Sequence, residues 1–170
     1  MADSIKEFKF NTKNEFHQFI IKHTDFLKDL VSIQNSSGIS YNFNRNSLYE
    51  FLKTDFKNNG SVFFIYENKE PIGAIWGYRD PFGDKEFTLS FFAIKKEYQG
   101  KGLGKKLMKF VYDKLLKTKR YNKIGMISEK GTRAINEGLT GKKGNSSKYT
   151  LKKNGCRDEI TIKPKLRHIL

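Results

Sequence analysis

The sequence predicts a mixed α/β (α+β) domain around a central, mostly antiparallel sheet, with one strand–glycine loop–helix unit near its middle. Three observations predict this fold. Amphipathic helix patterns fill the first third of the chain, dense apolar runs typical of strands follow, and a loop with three glycines separates the last run from another helix pattern. The length of 170 residues supports one core, so a single domain over residues 1–170 is expected.

The N-terminal part predicts one strand and two helices. The segment EFKFN at residues 7–11 is short and apolar enough for a first strand. Apolar residues recur near helical spacing over 13–31, and the same spacing returns over 46–57. Both segments therefore predict helices with one buried face.

Three strands follow, close enough in sequence to pair antiparallel. SVFFIYEN (61–68) and EPIGAIWGYRD (70–80) are separated by a tight turn, and EFTLSFFAI (86–94) follows the turn DPFGDK. The first two segments predict a hairpin, and the third predicts a strand beside it.

The C-terminal part predicts a helix, a strand, a long loop, a short helix and a last strand. Residues 103–115 have one apolar face and one lysine face, and KIGMIS (123–128) predicts a strand. The segment 129–147 contains four glycines and many polar residues, which predicts a loop on the substrate side. A short helix opened by Ser146 or Ser147 and closed by Gly155 is expected before a strand at 159–163.

The glycine loop QGKGLGKK (99–106) does not fit two common phosphate-binding motifs. A nucleotide P-loop has four residues between its glycines, whereas Gly100 and Gly104 have three between them and lack the Lys-Ser/Thr pair. The dinucleotide fingerprint fails because the third glycine comes one residue early and no acid occurs at 120–126. A glycine loop before a helix still predicts anion binding, since free N–H groups and the helix dipole point at one place.

The spacing Gln99-x-x-Gly102-x-Gly104, after a strand ending in FAI and before a helix, resembles the cofactor motif of the GNAT acetyltransferase family. The order of elements is also similar to that of the family, most closely over residues 60–130. The resemblance implies a GNAT-like fold and an enzyme that transfers an acyl group directly from acetyl-CoA (coenzyme A) to an amine. The acceptor and the acyl length stay open.

The resemblance also implies which residues contact the cofactor. The pantetheine arm is expected along the main chain of a splayed strand, at Phe92, Ala93 and Ile94. The pyrophosphate is expected at seven consecutive residues of the loop and helix start, namely Gln99, Gly100, Lys101, Gly102, Leu103, Gly104 and Lys105. Glycines suit this site because a backbone without Cβ atoms can approach the phosphate oxygens.

The resemblance leaves open which residues act as the general base and the general acid. Some family members carry a glutamate as general base where this chain has Thr88, so Glu86, on the same strand face, is the first candidate, ahead of Asp80 and Asp84. The family's general acid is a tyrosine near the end of the domain. The segment LKKNGC (151–156) offers Tyr149 two residues away, and the alternative GTRAINEGL (131–139) places a glycine there.

The composition adds expectations about partners. The chain has 33 lysines and arginines against 18 aspartates and glutamates, a net charge of +15. This charge favours RNA, DNA or the ribosome as a partner. Because the excess is mostly lysine, it also fits a drift in amino-acid composition with no function. A nucleic-acid-binding protein that kept the fold and lost the chemistry is the alternative function. The resemblance also allows a homodimer. The single cysteine and the charged N-terminus predict a cytoplasmic location, and His17, His23 and His168 show no metal-binding spacing.

Overall fold

The computed structural model describes residues 4–38, 43–141 and 148–163. They form five α-helices and seven strands in those ranges. In chain order these are β1 (Ser4–Thr12), α1 (Lys13–Lys22), α2 (Asp25–Ser36), α3 (Arg45–Asp55), β2 (Asn58–Glu67), β3 (Glu70–Arg79), β4 (Glu86–Ile94), α4 (Leu103–Tyr112), β5 (Lys123–Ile127), α5 (Lys130–Thr140), β6 (Tyr149–Asn154) and β7 (Arg157–Ile162). None of these helices is long and apolar enough to cross a membrane.

The strands form one seven-stranded sheet in the order β1-β2-β3-β4-β5-β7-β6. Every neighbouring pair is antiparallel except β4 and β5, which run parallel. The parallel pair is the one whose connection contains the glycine loop and α4, as a parallel crossover requires. The predicted mixed α/β fold with a mostly antiparallel sheet is confirmed.

Each face of the sheet has its own core. Helices α1 to α3 cover one face, called the front here, with a cluster rich in phenylalanine that includes Phe16, Phe26 and Trp76. Helix α4 covers the opposite face, called the back, where Leu107 and Val111 pack against β2 to β5. The apolar residues that alternate along the central strands supply both cores.

The turns form where the sequence offers the required residues. Asn44 caps α3 because its side chain accepts a hydrogen bond from Ser47 N at 2.9 Å, while the Ser47 hydroxyl accepts one from Asn44 N at 3.0 Å. The β2–β3 hairpin turns at Asn68 and Lys69, both with positive φ (50° and 67°), as a two-residue hairpin loop requires.

The helix predicted over 13–31 is two helices. It breaks at His23 and Thr24, and a second helix continues to Ser36. An unbroken helix from residue 13 to residue 36 would be about 36 Å long and could not keep its whole apolar face on the sheet. The break lets Phe16 of α1 and Phe26 of α2 reach the same front core.

Two predictions for the C-terminal region are wrong. Residues 130–140, predicted as loop, form α5, and residues 149–154, predicted as a short helix, form β6. Ser146 and Ser147 lie outside the described residues, as does His168. Gly155 has the predicted positive φ (61°) but turns a hairpin between β6 and β7 instead of ending a helix.

Candidate active site

The central strands β4 and β5 separate in the middle of the sheet. They pair from Glu86 opposite Lys123 to Leu89 opposite Met126, and then the pairing ends. Further along, β5 is held by β7, and β4 stays paired only with β3. The β4 main chain beyond Leu89 therefore faces an opening on its β5 side, and backbone groups there lack a sheet partner.

A bulge marks the start of this opening. Leu89 lies opposite Gly77 and Phe91 opposite Trp76, so Ser90 is the extra residue in β4. The bulge reverses the alternation of the strand. Phe92 and Ile94 then point to the back core, whereas Ala93 points to the front core.

The opening widens into a cleft of about 490 Å³, a size usual for cofactor sites. Three walls enclose it: the end of β4, the glycine loop with the start of α4, and the first half of α5. The lining residues are Ser37, Phe92, Ala93, Ile94, Tyr98, Gln99, Gly100, Gly102, Gly104, Lys105, Glu129, Gly131, Thr132 and Ile135.

The start of α4 offers unpaired donors to this cleft. Gly102 precedes the helix with φ 79° and provides no side-chain cap, and the first intrahelical bond to its carbonyl comes from Lys106 N at 3.0 Å. The N–H groups before Lys106 consequently have no acceptor within the helix. Gly100 also has positive φ (77°), and no atom lies within 4 Å of a Cβ placed at either glycine. Together the donors and the helix dipole make a site for an anionic group.

Eight of the ten residues predicted to contact the cofactor line the cleft; Lys101 and Leu103 do not. Lys101 Nζ lies 5.3 Å from the centre of the Tyr98 ring, and the Leu103 side chain packs in the back core. Gln99 lines the cleft, but its backbone N–H donates to Lys96 O and its side chain donates to Ile94 O at 2.8 Å and Ser37 O at 3.0 Å. Gln99 thus joins two walls of the cleft.

The third wall, helix α5, was predicted as a loop, although residues 131–139 within it were the alternative match to the family's C-terminal segment. A buried polar network attaches it to the sheet: Asn136 Nδ2 donates to Asp158 Oδ2 at 2.9 Å, and Asn136 Oδ1 accepts a hydrogen bond from the Tyr112 hydroxyl at 2.5 Å. Arg133 also donates to Asp158, through Nε at 3.0 Å and Nη2 at 2.9 Å. Asn136 and Asp158 are both fully buried. The network fixes the helix that carries Thr132 and Ile135 into the cleft.

The profile of the acetyltransferase (GNAT) family matches residues 27–137. That range includes β4, the glycine loop, α4, β5 and most of α5. The chain belongs to the GNAT acetyltransferase family. The GNAT membership makes it an N-acetyltransferase, and the cleft with its free donors fits the coenzyme A part of acetyl-CoA.

Solved structures similar to this GNAT chain include three acetyltransferases. The ribosomal-protein-S18-alanine N-acetyltransferase from Escherichia coli is 17% identical, with 99% of each chain covered and a TM-score of 0.61. The PaiA N-acetyltransferase from Thermoplasma acidophilum, in complex with coenzyme A, is 15% identical over 96% of this chain and 100% of that one, with a TM-score of 0.57. A chain of the NatC complex bound to Gag peptide and CoA is 17% identical over 96% and 100%, with a TM-score of 0.61. At these identities the likeness concerns the fold. No curated protein matches the sequence.

The structure does not bring Glu86 to the cleft of the GNAT domain. Glu86 lies at the first position of β4, about 23 Å along the strand from Ala93 at 3.3 Å per residue. Its carboxylate is paired with the Arg157 guanidinium on β7. Glu86 is thus ion-paired and does not line the cleft, and its role as a base remains a prediction.

Tyr149 is also away from the cleft. Its hydroxyl donates a hydrogen bond to Asp113, its ring packs edge-on against Tyr112 at 5.2 Å, and the side chain is buried. Burial, together with the Asp113 carboxylate, raises the pKa of Tyr149. The segment 151–156 that suggested Tyr149 is a strand and turn, whereas the alternative segment 131–139 lies in α5 and beside the cleft, with Gly138 at the tyrosine position.

Two carboxylates that do reach the β4 bulge come from other elements. Asp80, from the turn after β3, accepts hydrogen bonds from the Thr88 hydroxyl at 3.2 Å and from Phe82 N at 2.8 Å, and these bonds lower its pKa. Asp55, the last residue of α3, lies beside Ser90 and Trp76, and burial raises its pKa to about 6 even though those two side chains favour the charged form. The sequence offered no signal for Asp55, since it is one acid among several on an amphipathic helix.

Proposed function

We propose that this GNAT enzyme transfers an acetyl group directly from acetyl-CoA in the cleft to a primary amine approaching from the front of the sheet. The observation that carries the proposal is the continuity of the cleft. It runs from the free N–H groups at Gly102 along Ile94 to Phe92, three residues beyond Leu89, where the pairing of β4 and β5 ends. A CoA thioester with its pyrophosphate at the loop would end beside the bulge at Ser90.

The chain's own groups account for binding and orientation. The N–H groups at the start of α4, with Lys105 beside them, would hold the pyrophosphate, and the unpaired main chain of Phe92 to Ile94 would pair with the amides of the pantetheine arm. The back of the opening is filled by α4, because Leu103 and Leu107 pack there with Leu89. Helices α1 to α3 cover most of the front, but a groove remains beside the end of α3, and we infer that the acceptor enters there so that both reactants meet at one point.

For the acceptor, we propose the amino group of a polypeptide as the first class to test. The Escherichia coli structure is named for an alanine of a ribosomal protein, and the NatC structure holds a peptide together with CoA. The net charge of +15 is compatible with a polypeptide in a ribosomal particle, where the RNA supplies negative charge.

Transfer is tested by incubating the protein with acetyl-CoA and either a peptide with a free N-terminal amine or the same peptide with a blocked one. We expect release of CoA thiol and an added acetyl mass only with the free amine. Acetyl-CoA binding without transfer to peptide, ribosomal protein or aminoacyl-tRNA amines would contradict the proposal. Failure to bind acetyl-CoA, with salt-dependent binding of RNA or DNA, would favour the nucleic-acid-binding alternative.

A further inference from the structure

The point where the acceptor would meet the thioester has an unusual set of neighbours. Thr88 and Ser90 are the front-facing polar side chains of β4 on either side of Leu89, where the strands separate. Neither side chain is a base at neutral pH. Each hydroxyl has a carboxylate beside it from another element, Asp80 at Thr88 and Asp55 at Ser90.

The two carboxylates differ in what occupies their oxygens. Asp80 Oδ1 accepts bonds from Phe82 N and Gly83 N, at 2.8 and 3.1 Å, and Oδ2 accepts the Thr88 hydroxyl. These bonds hold the β3–β4 turn and favour the charged, weakly basic form. Asp55 Oδ2, in contrast, is buried and has no partner at hydrogen-bond distance and angle among the described residues, and the side chains of Ser90 and Trp76 lie beside the carboxylate.

Asp55 is half-buried, and although its Oδ2 is covered, the residue borders open space at the front. It lines a groove of about 230 Å³ with Thr54, Lys57, Asn58, Tyr78, Arg79 and Pro81. The groove passes Tyr78, which lies near Ser90, Asp80 and Arg157 as well as Asp55. An amine entering this groove would reach the carboxylate and the bulge of β4 from the same side.

We propose that Asp55 is the general base that takes the proton from the acceptor amine at the β4 bulge. This assignment rests on the proposed function. The Asp55 carboxylate accepts one proton from the ammonium group, the nitrogen then bonds to the carbonyl carbon, and the carbon–sulfur bond breaks. The second proton of the nitrogen goes to the departing sulfur to give the CoA thiol, and Asp55 releases its proton to solvent.

The protonation behaviour of Asp55 suits this role. Burial raises its pKa to about 6, so at neutral pH it is charged and still more basic than an ordinary aspartate. The charged groups facing it are Lys57 and Arg79 in the groove and Asp80 across Tyr78. Because the pKa is raised in the folded protein, Asp55 favours folding below its unfolded value of 3.8, and this contribution is lost as the pH rises through about 6. We therefore expect Asp55→Asn to raise the melting temperature at pH 7 and to change it little at pH 3, a stability gain typical of replacing a functional residue.

Trp76 provides a direct reporter. It is the only tryptophan in the chain, is 1% exposed, and lies next to Asp55. We expect its fluorescence in the wild type to titrate with a midpoint of about 6, and this transition to be missing in Asp55→Asn. A wild-type midpoint at the ordinary aspartate value of 3.8, or the same transition in Asp55→Asn, would overturn the assignment.

Two small probe acceptors separate loss of a base from loss of structure. n-Propylamine is protonated at pH 7 and needs a base, whereas hydroxylamine is already uncharged. We expect Asp55→Asn to slow transfer to n-propylamine by about 100-fold or more and to leave enzyme-catalysed transfer to hydroxylamine, after subtraction of its uncatalysed reaction with acetyl-CoA, unchanged. The matched control, Asp25→Asn in the exposed first turn of α2, should leave both rates unchanged.

Equal slowing of both acceptors by Asp55→Asn would overturn the assignment, since a base is needed for only one of them. Calorimetric binding of acetyl-CoA to wild type and Asp55→Asn separates failure of the Asp55 assignment from failure of the proposed function. If both proteins bind acetyl-CoA and Asp55→Asn slows transfer to both acceptors equally, only the assignment of Asp55 as the base is refuted. Absence of binding by the wild type refutes the proposed function and the assignment with it.

Discussion

Gly102→Glu is expected to abolish acetyl-CoA binding while the protein stays folded. Gly102 has φ 79°, and an added side chain meets no atom within 4 Å, so the carboxylate would project into the open cleft. A carboxylate about 4 Å from a phosphate charge is repelled by about 4 kcal/mol at an effective dielectric constant of 20, which is about 1000-fold in affinity. Forcing a residue with a Cβ into the left-handed region costs a further 1–2 kcal/mol or so in stability.

Titration calorimetry with acetyl-CoA measures this loss, and Gly155→Glu is a matched control. Gly155 also has positive φ (61°) and open space around its Cβ, but it lies in the β6–β7 turn and does not line the cleft. We expect Gly155→Glu to bind acetyl-CoA like the wild type. Undiminished binding by Gly102→Glu would mean that the pyrophosphate lies elsewhere.

Asp158→Ala is expected to destabilise the protein by about 3–5 kcal/mol, the usual cost of removing one partner of a buried ion pair. The substitution leaves the buried Asn136 amide without its acceptor and the Arg133 guanidinium without its carboxylate. Both groups belong to α5, so the helix would also lose its attachment to β7. We therefore expect weaker acetyl-CoA binding as a second consequence.

Urea unfolding of wild type and Asp158→Ala at several pH values measures the effect, with Asp84→Ala in the exposed turn as the control. Burial alone would raise the pKa of Asp158, but hydrogen bonds from Asn136, Arg133 and Ser128 outweigh it and lower the pKa. A lowered pKa stabilises the folded state above the ordinary aspartate value of 3.8, and this is lost as the pH falls further. The difference between wild type and variant should thus be largest near neutral pH. A difference below about 1 kcal/mol at pH 7 would show that the network does not hold α5.

Local sequence was sufficient for the part of the fold that positions the cofactor. Residues 86–94 form β4 with the predicted bounds, and the loop that follows has glycines in the left-handed conformation at Gly100 and Gly102. Strand periodicity, glycine conformation and helix starts are properties of short segments, so one sequence reveals them. The role of each cofactor residue remains a prediction.

The elements that were missed depend on distant contacts. Helix α5 contains Gly131 and Gly138, which disfavour helices, and it forms because Asn136 and Arg133 meet Asp158 22 and 25 positions later. The β6–β7 hairpin did have a local signal in Gly155, the first residue of its two-residue turn Gly155-Cys156, a position where glycine is preferred. The resemblance of residues 151–156 to a C-terminal helix motif predicted a helix there instead.

The candidate base, Asp55, was also missed because its position in the site depends on distant contacts. Thr88 indicates only that the usual glutamate is missing, and the nearest acid on the same strand, Glu86, is paired with Arg157. Asp55 approaches Ser90 from α3, 35 positions earlier in the chain. Only the packing of α3 on the front of the sheet places these two residues together.

A crystal structure of the protein with acetyl-CoA tests the central claim most directly. We predict that the pyrophosphate accepts hydrogen bonds from N–H groups between Gly100 and Lys105, that the pantetheine arm follows Phe92 to Ile94, and that the acetyl group ends beside Ser90. Acetyl-CoA bound outside the cleft between β4, α4 and α5, or with its thioester pointing away from the β4 bulge, would contradict the account.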